Sequence, residues 1–300
     1  MRVAIIINPI SGTGGRLEVA RRRAELAGAE LERRHLDGEV FVSERPGHAR
    51  ELARAAMERG ARLLLAWGGD GTVNEVASVL AFTDATLGVI PSGSGNGLSR
   101  ELKIPFEPVA ALDVALAAGR ERLIDAGRLD GHLFFNIAGI GLDARVAHRF
   151  AADGLVRRGF WRYLEITAQE LFTYDPDEHS VVVDGATERV RAMLIAIANG
   201  RQYGNGAVIA PHATLDDGRL DVVVVPHRST AATLMQIPRV FAGTVDRVPG
   251  VTIRSGGEIE ITSARPVLYH VDGEPFVGGA SVRAKVQPAA LRVRVPEAMV

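Results

Sequence analysis

One stretch of this 300-residue chain decides its fold: Leu63-Leu64-Leu65-Ala66-Trp67-Gly68-Gly69-Asp70-Gly71-Thr72-Val73-Asn74-Glu75. Its first five residues form an apolar run of strand length. A glycine-rich turn follows at once, and the residues from about Val73 onward are typical of a helix. A strand, a tight turn and a helix in this order form the repeating unit of a parallel α/β sheet.

The same pattern recurs on both sides of this stretch. Further strands are predicted at Val3–Ile7, Val40–Val42 and Leu87–Ile90, and helices at Arg16–Glu32 and His48–Arg59. The first of these strands is a continuous apolar run, as expected for a strand that is buried on both faces. The first 125 residues are therefore predicted to form an α/β domain with a parallel sheet.

The pattern changes near residue 125. Short strands separated by turns are predicted at Leu133–Ile137, Ser180–Val183, Ala192–Ala198, Leu220–Val225, Val251–Arg254, Glu258–Thr262 and Leu291–Val295. Helices are expected only at about 144–172 and 231–241. This pattern predicts a mostly antiparallel β domain over residues 126–300, and the strand at about 289–296 is a candidate to return to the first domain.

Composition excludes several classes of protein. The net charge is −1, so no general attraction to nucleic acid is expected. The sequence contains no apolar run of about 18 residues, so no membrane-spanning helix is expected. The chain has no cysteine and enters a predicted strand at once, which excludes disulfides and fits a cytoplasmic protein without a signal peptide.

The basic residues are almost all arginine. Of the 35 basic residues only Lys103 and Lys285 are lysine, so a phosphate clamp must rely on arginine or on backbone amides. Arg21, Arg22 and Arg23 fall in the first predicted helix, and we expect them on its solvated side.

Glycine-rich turns follow three of the predicted parallel strands, and such turns share the carboxyl edge of a sheet, where ligands bind. In the turn at 68–75, the glycines allow a phosphate to approach the backbone, and the following helix offers its N-terminal amides. Asp70 would place a carboxylate there, as a partner of Mg²⁺ and phosphate or as a base. The alternative is an aspartate that caps its own turn.

The other two turns are less specific. Pro91-Ser92-Gly93-Ser94-Gly95-Asn96-Gly97 is either an anion-binding nest or a flexible loop. The turn at 8–15 lacks the Gly-Lys-Ser/Thr of a Walker loop. In the second domain, Asp216-Asp217-Gly218 and Asp272-Gly273-Glu274 carry acidic groups, although Asp-Gly is also a common hairpin signal.

Taken together, these motifs resemble the diacylglycerol kinase catalytic domain family, which includes sphingosine, ceramide and bacterial lipid kinases. The matching motifs follow the family's order: Asn8-Pro9 with Ser11-Gly12, GGDGT at 68–72, Gly93–Asn96, Gly139–Asp143, Asn199-Gly200 with 215–221, and Asp272–Pro275. The resemblance covers nearly the whole chain, whereas GGDGT alone also occurs in NAD kinases and phosphofructokinases. It implies a nucleotide-binding first domain and a lipid-substrate second domain.

The resemblance also implies roles for individual residues. The residues that would bind ATP are Asn8, Ser11, Gly12, Ser43, Gly68, Gly69, Asp70, Gly71, Thr72, Val73, Asn74, Ser94, Gly95 and Asn96. Glu274 would be the base that accepts the proton of the lipid hydroxyl, and Asp70 is its rival for that role. Asp217 would hold a second Mg²⁺, helped by the carbonyls of Thr214 and Arg219, and Asp143 would lie near the polar head of the acceptor.

The implied function is an ATP-dependent lipid kinase with a diacylglycerol- or sphingoid-like acceptor. The alternatives are an NAD kinase-like enzyme with a soluble acceptor, or a non-catalytic nucleotide-binding regulator. Many diacylglycerol kinases have Asn-Asp in the second loop, whereas Asn96 is followed here by Gly97, which weakens the assignment to diacylglycerol.

A lipid kinase must also reach its substrate at a membrane surface. We expect a cytoplasmic chain in transient, peripheral contact with the inner membrane face, and a homodimer paired through an edge strand is left open. The segment 156–174 combines aromatic residues with arginines, which predicts either an interfacial helix or a helix packed into the second domain.

Overall fold

The computed structural model describes residues 2–11, 17–117, 120–152 and 160–297 and divides the chain into two compact units. Unit 1 comprises residues 1–124 together with 289–300, and unit 2 comprises residues 125–288.

Unit 1 alternates strands with helices. Its elements are β1 (Arg2–Ile7), α1 (Leu17–Arg33), β2 (Gly38–Val42), α2 (His48–Glu58), β3 (Ala61–Gly68), α3 (Asp70–Leu80), β4 (Thr86–Pro91), α4 (Gly97–Glu101) and α5 (Pro108–Leu116). The strand order is β4-β3-β1-β2, and every neighbouring pair is parallel. The last residues of the long strand β15 (Ser281–Arg294) add a further parallel neighbour to β4. The predicted parallel α/β fold is confirmed.

Helix α3 begins three residues earlier than the sequence pattern predicts. Gly69 precedes it in an extended conformation, and the carbonyl of Gly69 already accepts from the amide of Val73 at 3.0 Å. Asp70 is therefore the first helical residue, not part of a free turn. Its amide and those of Gly71 and Thr72 lie outside the hydrogen-bond ladder of α3, as at any helix start.

Unit 2 is mostly antiparallel. Its elements are the strands β5 (Glu121–Leu129), β6 (His132–Phe134), β7 (Ile137–Gly141), β8 (Glu178–Val183), β9 (Ala186–Ala198), β10 (Leu220–Pro226), β11 (Thr252–Gly256), β12 (Glu258–Ser263), β13 (Leu268–Val271), β14 (Glu274–Val277) and the first part of β15, and the helices α6 (Leu142–Ala152), α7 (Phe160–Thr173) and α8 (Thr230–Phe241). The predicted mostly antiparallel β domain is confirmed.

Strand β9 belongs to two layers. Its second half lies between β7 and β10, in the order β14-β13-β7-β9-β10-β11, and its first half pairs with β8, which continues to β12 and β15. Buried side chains from both layers share one core, for example Ile140, Ile195, Val222, Ile259 and Val282.

Two differences from the predicted elements matter for the site. The strand expected at 133–137 is two strands, β6 and β7, because the amides of Phe135, Asn136 and Ile137 all donate to the carboxylate of Asp272. The single helical region expected at about 144–172 contains two helices, α6 and α7. Within the described ranges, no helix is long and apolar enough to cross a membrane.

Candidate active site

In unit 1, three loops leave the carboxyl ends of the neighbouring strands β1, β3 and β4. The amide of Asn8 donates to the carbonyl of Trp67 at 2.9 Å, and the amide of Ser92 donates to that of Gly68 at 2.8 Å. These bonds continue the pairing of the strands into the loops. They bring the sequence motifs at 8–11, 68–74 and 92–97 to one edge of the sheet, as expected for parallel strands.

Two glycines let the second and third of these loops touch. A Cβ atom on Gly93 would lie 2.6 Å from the Cα of Gly69, and one on Gly69 would lie 3.1 Å from the Cα of Gly93. Neither contact can be relieved by moving a side chain, because the opposing atoms belong to the backbone. The close approach therefore requires glycine at position 93 and leaves little room for a side chain at position 69.

The carboxylate of Asp70 joins the same two loops. One oxygen accepts from the amide of Asn96 at 2.8 Å, and the other accepts from the amide of Gly97 at 2.7 Å. Asp70 therefore joins the start of α3 to the loop at 92–97.

The loop at 92–97 is held from within by Asn96. This buried residue has a left-handed backbone with φ of 53°. Its side chain accepts from the amide of Gly93 at 2.9 Å and donates to the carbonyl of the same residue at 2.6 Å. These two bonds close the loop on itself and present Ser94 as its exposed tip.

Arg23 of α1 organises the first loop. Its guanidinium donates to the carbonyl of Asn8 at 2.9 Å and to the hydroxyl of Ser11 at 3.1 Å. The expectation that Arg23 is solvated is wrong, because these bonds draw it into the loop, where burial lowers the pKa of its guanidinium. Ser11 also shares a 2.6 Å hydrogen bond with the hydroxyl of Ser92, which ties the first loop to the third.

The remaining predicted ATP ligands differ in exposure. The side chain of Asn8 donates to the hydroxyl of Thr72 at 2.8 Å, while Ser43 is buried at the end of β2. Val73 is buried in α3, so only its backbone could face a ligand. Asn74 accepts from Ser78 one turn later at 3.3 Å, and Gly95 offers its carbonyl to Arg100. Gly12 lies outside the described residues.

In unit 2, Asp143 is the centre of a buried polar cluster. It lies in the first turn of α6, and only 11% of its side chain is exposed. One carboxylate oxygen accepts from the hydroxyl of Tyr203 at 2.8 Å and from Nε2 of His270 at 3.1 Å. Its other oxygen accepts from the amide of Ala144 at 2.8 Å. Gly139 leaves the room for this cluster, since a Cβ there would lie 2.6 Å from Nε2 of His270.

His270 connects this cluster to the turn that carries Glu274. Nδ1 of His270 accepts from the amide of Gly273 at 3.3 Å, so a neutral ring carries its hydrogen on Nε2, facing Asp143. Asp272 and Gly273 have φ of 46° and 86°, as in the two-residue hairpin turns that Asp-Gly favours. Glu274 follows as the first residue of β14 and is exposed. In the described part of the chain its carboxylate has no hydrogen-bond or ion-pair partner.

The acidic loop at 214–219 connects to the same turn through buried groups. The side-chain amide of Asn199, which is fully buried, donates to the carbonyls of Asp125 and Phe135, both at 2.9 Å. The carboxylate of Asp125 accepts from the amide of Gly218 at 2.7 Å. Phe135 in turn donates its amide to Asp272 at 2.9 Å. This continuous polar path links the loop to the Asp272 turn.

Asp217 is exposed within that loop, as are Thr214 and Arg219. One oxygen of Asp217 accepts from the amide of Arg219 at 3.0 Å. No hairpin forms here, so the hairpin alternative is wrong for 216–218 although it is correct for Asp272-Gly273. Burial raises the pKa of nearby Asp221, a hydrogen bond from Ser255 opposes that rise, and the negative charge of Asp217 adds to it.

The fit of this loop to a metal ion can be tested on its donor atoms. In the described ranges, which omit 12–16, 118–119 and 153–159, no three histidine, aspartate or glutamate side chains are placed to hold a metal ion. The donors at 214–219 are one carboxylate and backbone carbonyls, all of them oxygen. Mg²⁺ accepts such a set when waters and substrate phosphates complete its shell.

Several residues of these clusters are missed by sequence reasoning: Arg23, Asp125, Asn136, Tyr203 and His270. None lies in a motif with a recognisable spacing, and histidine spacing alone gives no hint of His270. Asn199 and Asp272 lie in quoted motifs, but their buried bonding roles are visible only in the fold.

Two family models match the chain. Residues 2–129 match the diacylglycerol kinase catalytic domain, and residues 136–295 match the YegS C-terminal NAD kinase beta sandwich-like domain.

Relatives match over most of their length. The chain is 33% identical over 268 residues to a Pseudomonas aeruginosa protein named "Probable lipid kinase YegS-like", covering 86% of this chain and 84% of that one. It is 32% identical over 302 residues to the diacylglycerol kinase of Mycobacterium tuberculosis, covering 98% and 95%.

Solved structures share the fold. A diacylglycerol kinase structure from Bacillus anthracis superposes with a TM-score of 0.73 at 19% identity, over 100% of this chain and 98% of that one. An NAD kinase from Archaeoglobus fulgidus in complex with ATP gives a TM-score of 0.56 at 14% identity, over 99% and 94%. The chain thus belongs to the family of diacylglycerol kinase-like and YegS-like lipid kinases, which join a diacylglycerol kinase catalytic domain to a YegS-type C-terminal domain.

Proposed function

We propose that this chain transfers the γ-phosphate of ATP to the hydroxyl group of a lipid, with a diacylglycerol- or sphingoid-like molecule as acceptor. The observation that carries the proposal is the bridge from Asp70 to the amides of Asn96 and Gly97, which fixes two glycine-rich loops at the start of α3. A kinase-family chain with this arrangement has a preformed place for polyphosphate.

Backbone amides would do most of the phosphate binding. The amides of Gly71 and Thr72 lie in the first turn of α3, where the positive end of the helix dipole favours an anion. The glycine contact between the loops brings further backbone within reach. This arrangement suits a chain with almost no lysine, because it needs no lysine clamp.

Mg²⁺ would accompany ATP and neutralise charge on its phosphates. Asp217, with the carbonyls of Thr214 and Arg219, would hold a second ion, and Asp70 would work beside the phosphates. This assignment is a proposal from donor chemistry, because oxygen donors and few protein ligands are what Mg²⁺ prefers.

Glu274 is the better candidate for the base. Its carboxylate is exposed and has no partner in the described part of the chain, whereas both oxygens of Asp70 already accept from amides. In the proposed step, the acceptor hydroxyl gives its proton to Glu274, its oxygen bonds to the γ-phosphorus, and the bond from phosphorus to the β–γ bridging oxygen breaks. ADP leaves with that electron pair.

Transfer of ³²P from [γ-³²P]ATP to lipids in detergent micelles tests the proposal. The panel contains diacylglycerol, monoacylglycerol, sphingosine, ceramide, phosphatidylglycerol and undecaprenol, with NAD as a soluble control. We expect label in one lipid class and none in NAD. Label in NAD alone would overturn the lipid assignment. ATP binding without label anywhere would favour a regulator.

A further inference from the structure

Helix α8 exposes its apolar side to solvent, unlike most helices of globular domains. Its inner side carries Gln236 and Val240. Val240 packs against a buried cluster that includes Val245 and Val248, and the side-chain oxygen of Gln236 is buried. Normally the apolar stripe of such a helix faces the core. In α8 the apolar stripe faces outward instead.

Four large apolar side chains form this outward stripe. Leu234, Met235, Ile237 and Phe241 are 43%, 71%, 43% and 54% exposed. No residue of α8 is buried. Single exposed apolar side chains are normal on a protein surface, but a contiguous stripe on one helix marks a contact with an apolar partner.

The charge carried by α8 itself has one sign, because Arg239 is the one charged residue in its sequence. Arg228 precedes the helix, and Asp246 and Arg247 follow it, with Asp246 lying 3.7 Å from Nε2 of His212. Arg239 and Arg247 are exposed, and neither forms an ion pair in the described part of the chain. Elsewhere the chain uses its arginines in many ion pairs with carboxylates, for example Arg149 with Glu170 and Arg283 with Glu260.

The helix is firmly attached despite its exposure. Ser229 caps its N-terminus by accepting from the amide of Ala232, and the carbonyl of Val240 accepts from the amide of Val208 at 3.0 Å. The amide of Thr244 donates to the carbonyl of Arg239 at 2.9 Å. The apolar stripe is therefore a fixed feature of unit 2.

We propose that α8 lies in the headgroup region of an anionic lipid bilayer, with its four exposed apolar side chains toward the acyl chains and Arg239 and Arg247 on lipid phosphates. An outward apolar stripe on a helix whose own charge is a single arginine is what an interfacial helix requires. A second copy of the chain is a weaker candidate, because four partly exposed side chains cover far less than the about 800 Å² per partner of a stable interface.

The proposal moves the membrane contact away from the segment 156–174. In α7, Ile166 and Leu171 are buried. Residues 153–159 and the side chains of Phe160, Trp161, Tyr163 and Leu164 lie outside what the structure describes. Phe172 of α7 is 70% exposed, almost the same as Met235, but it lies on a different helix. It provides a matched control.

Co-sedimentation of the full chain with vesicles tests the proposal. The vesicles contain phosphatidylcholine alone or with phosphatidylglycerol, and neither ATP nor an acceptor is present. We expect wild-type binding only with phosphatidylglycerol. The double variant Met235→Gln, Phe241→Gln should bind at least about tenfold more weakly, since two apolar side chains no longer leave water. Arg239→Gln should bind about fivefold more weakly, and Phe172→Gln should bind like wild type.

Several outcomes would overturn the proposal: no binding by wild type, wild-type affinity in the double variant and in Arg239→Gln, or an equal loss in Phe172→Gln. Sedimentation velocity on the same proteins tests whether the stripe is instead a dimer interface. If wild type is a dimer and the double variant is a monomer, the stripe belongs to a contact with a second copy and the proposal is wrong. The inference rests on the proposed function only for the reason why the chain would bind a membrane. Lipid phosphorylation in micelles can fail while vesicle binding persists, and the reverse also holds, so the two failures are distinguishable.

Discussion

The two units build their polar clusters from different materials. In unit 1, glycines and backbone amides make most of the contacts, and one carboxylate, Asp70, joins two loops. In unit 2, side chains from distant parts of the chain bond to one another, as Asp143, Tyr203 and His270 do. Backbone clusters are encoded by local motifs, whereas side-chain clusters depend on the whole fold. Function in unit 1 should therefore respond both to loss of the Asp70 bridge and to added bulk between the loops, and function in unit 2 to changes in single side chains.

The largest effect is expected at Glu274, whose exposed carboxylate has no partner in the described part of the chain. Glu274→Gln should lower turnover at least about a hundredfold, the usual scale for losing an acid–base group. Because Glu274 is exposed, the melting temperature should stay within about 1 °C of wild type. Turnover with the labelled lipid and a thermal melt measure the two quantities. Near-normal turnover would remove Glu274 from the role of base.

Asp70→Asn should also cost at least about a hundredfold in turnover, but through a different route. An amide offers one acceptor oxygen where the carboxylate offers two, so the amide of Asn96 or of Gly97 loses its partner. Unlike Glu274→Gln, this variant should therefore also bind ATP more weakly and melt at a lower temperature. Isothermal titration with ATP separates the two variants. Unchanged ATP affinity would contradict the bridging role of Asp70.

A smaller effect is expected from bulk between the glycine loops. Gly93→Ala places a methyl group against the backbone of Gly69 and should raise the KM for ATP about tenfold, since misplacing bound phosphates is costly. Gly28→Ala is the matched control, because a Cβ there meets nothing within 4 Å. It lies in α1 and should stabilise the chain slightly. Equal KM values for ATP in the two variants would show that ATP binding does not depend on the close contact between Gly93 and Gly69.

The smallest effect on turnover is expected from the hydrogen bond between the amide of Gly273 and Nδ1 of His270, next to Glu274. His270→Gln should lower kcat roughly fivefold to tenfold and leave the KM for ATP unchanged, because it loosens the turn that carries the base. Tyr203→Phe removes the other donor to the same oxygen of Asp143 without touching that turn, and should stay within about twofold of wild type. Equal losses of kcat in the two variants would mean that kcat depends on the donors to the carboxylate of Asp143 and not on the turn at 272–273.

The same contrast explains what could be predicted from sequence. The parallel and antiparallel halves follow from strand length, turn spacing and alternation with helices, and the glycine loops follow from their motifs. The apolar period does not predict the start of α3 at Asp70, because the extended backbone of Gly69 sets it.

The buried contacts could not be predicted because no local pattern encodes them. Arg23 looks like its solvated neighbours Arg21 and Arg22 until the first loop folds back onto α1. His270 and Asp143 are 127 residues apart, and only the pairing of β13 with β7 brings them together. The outward stripe of α8 has the ordinary period of an amphipathic helix, so its direction is a property of the fold alone.

The position of β15 has a consequence for biosynthesis. Arg292 and Val293 pair with Thr86 and Leu87. During synthesis, the outer edge of β4 is therefore unpaired until a segment about two hundred residues later has been made. At ordinary translation rates of about 5–20 residues per second, that edge stays open for about ten to forty seconds. During this interval the nascent chain displays an unsatisfied strand edge, which is a template for pairing with other chains.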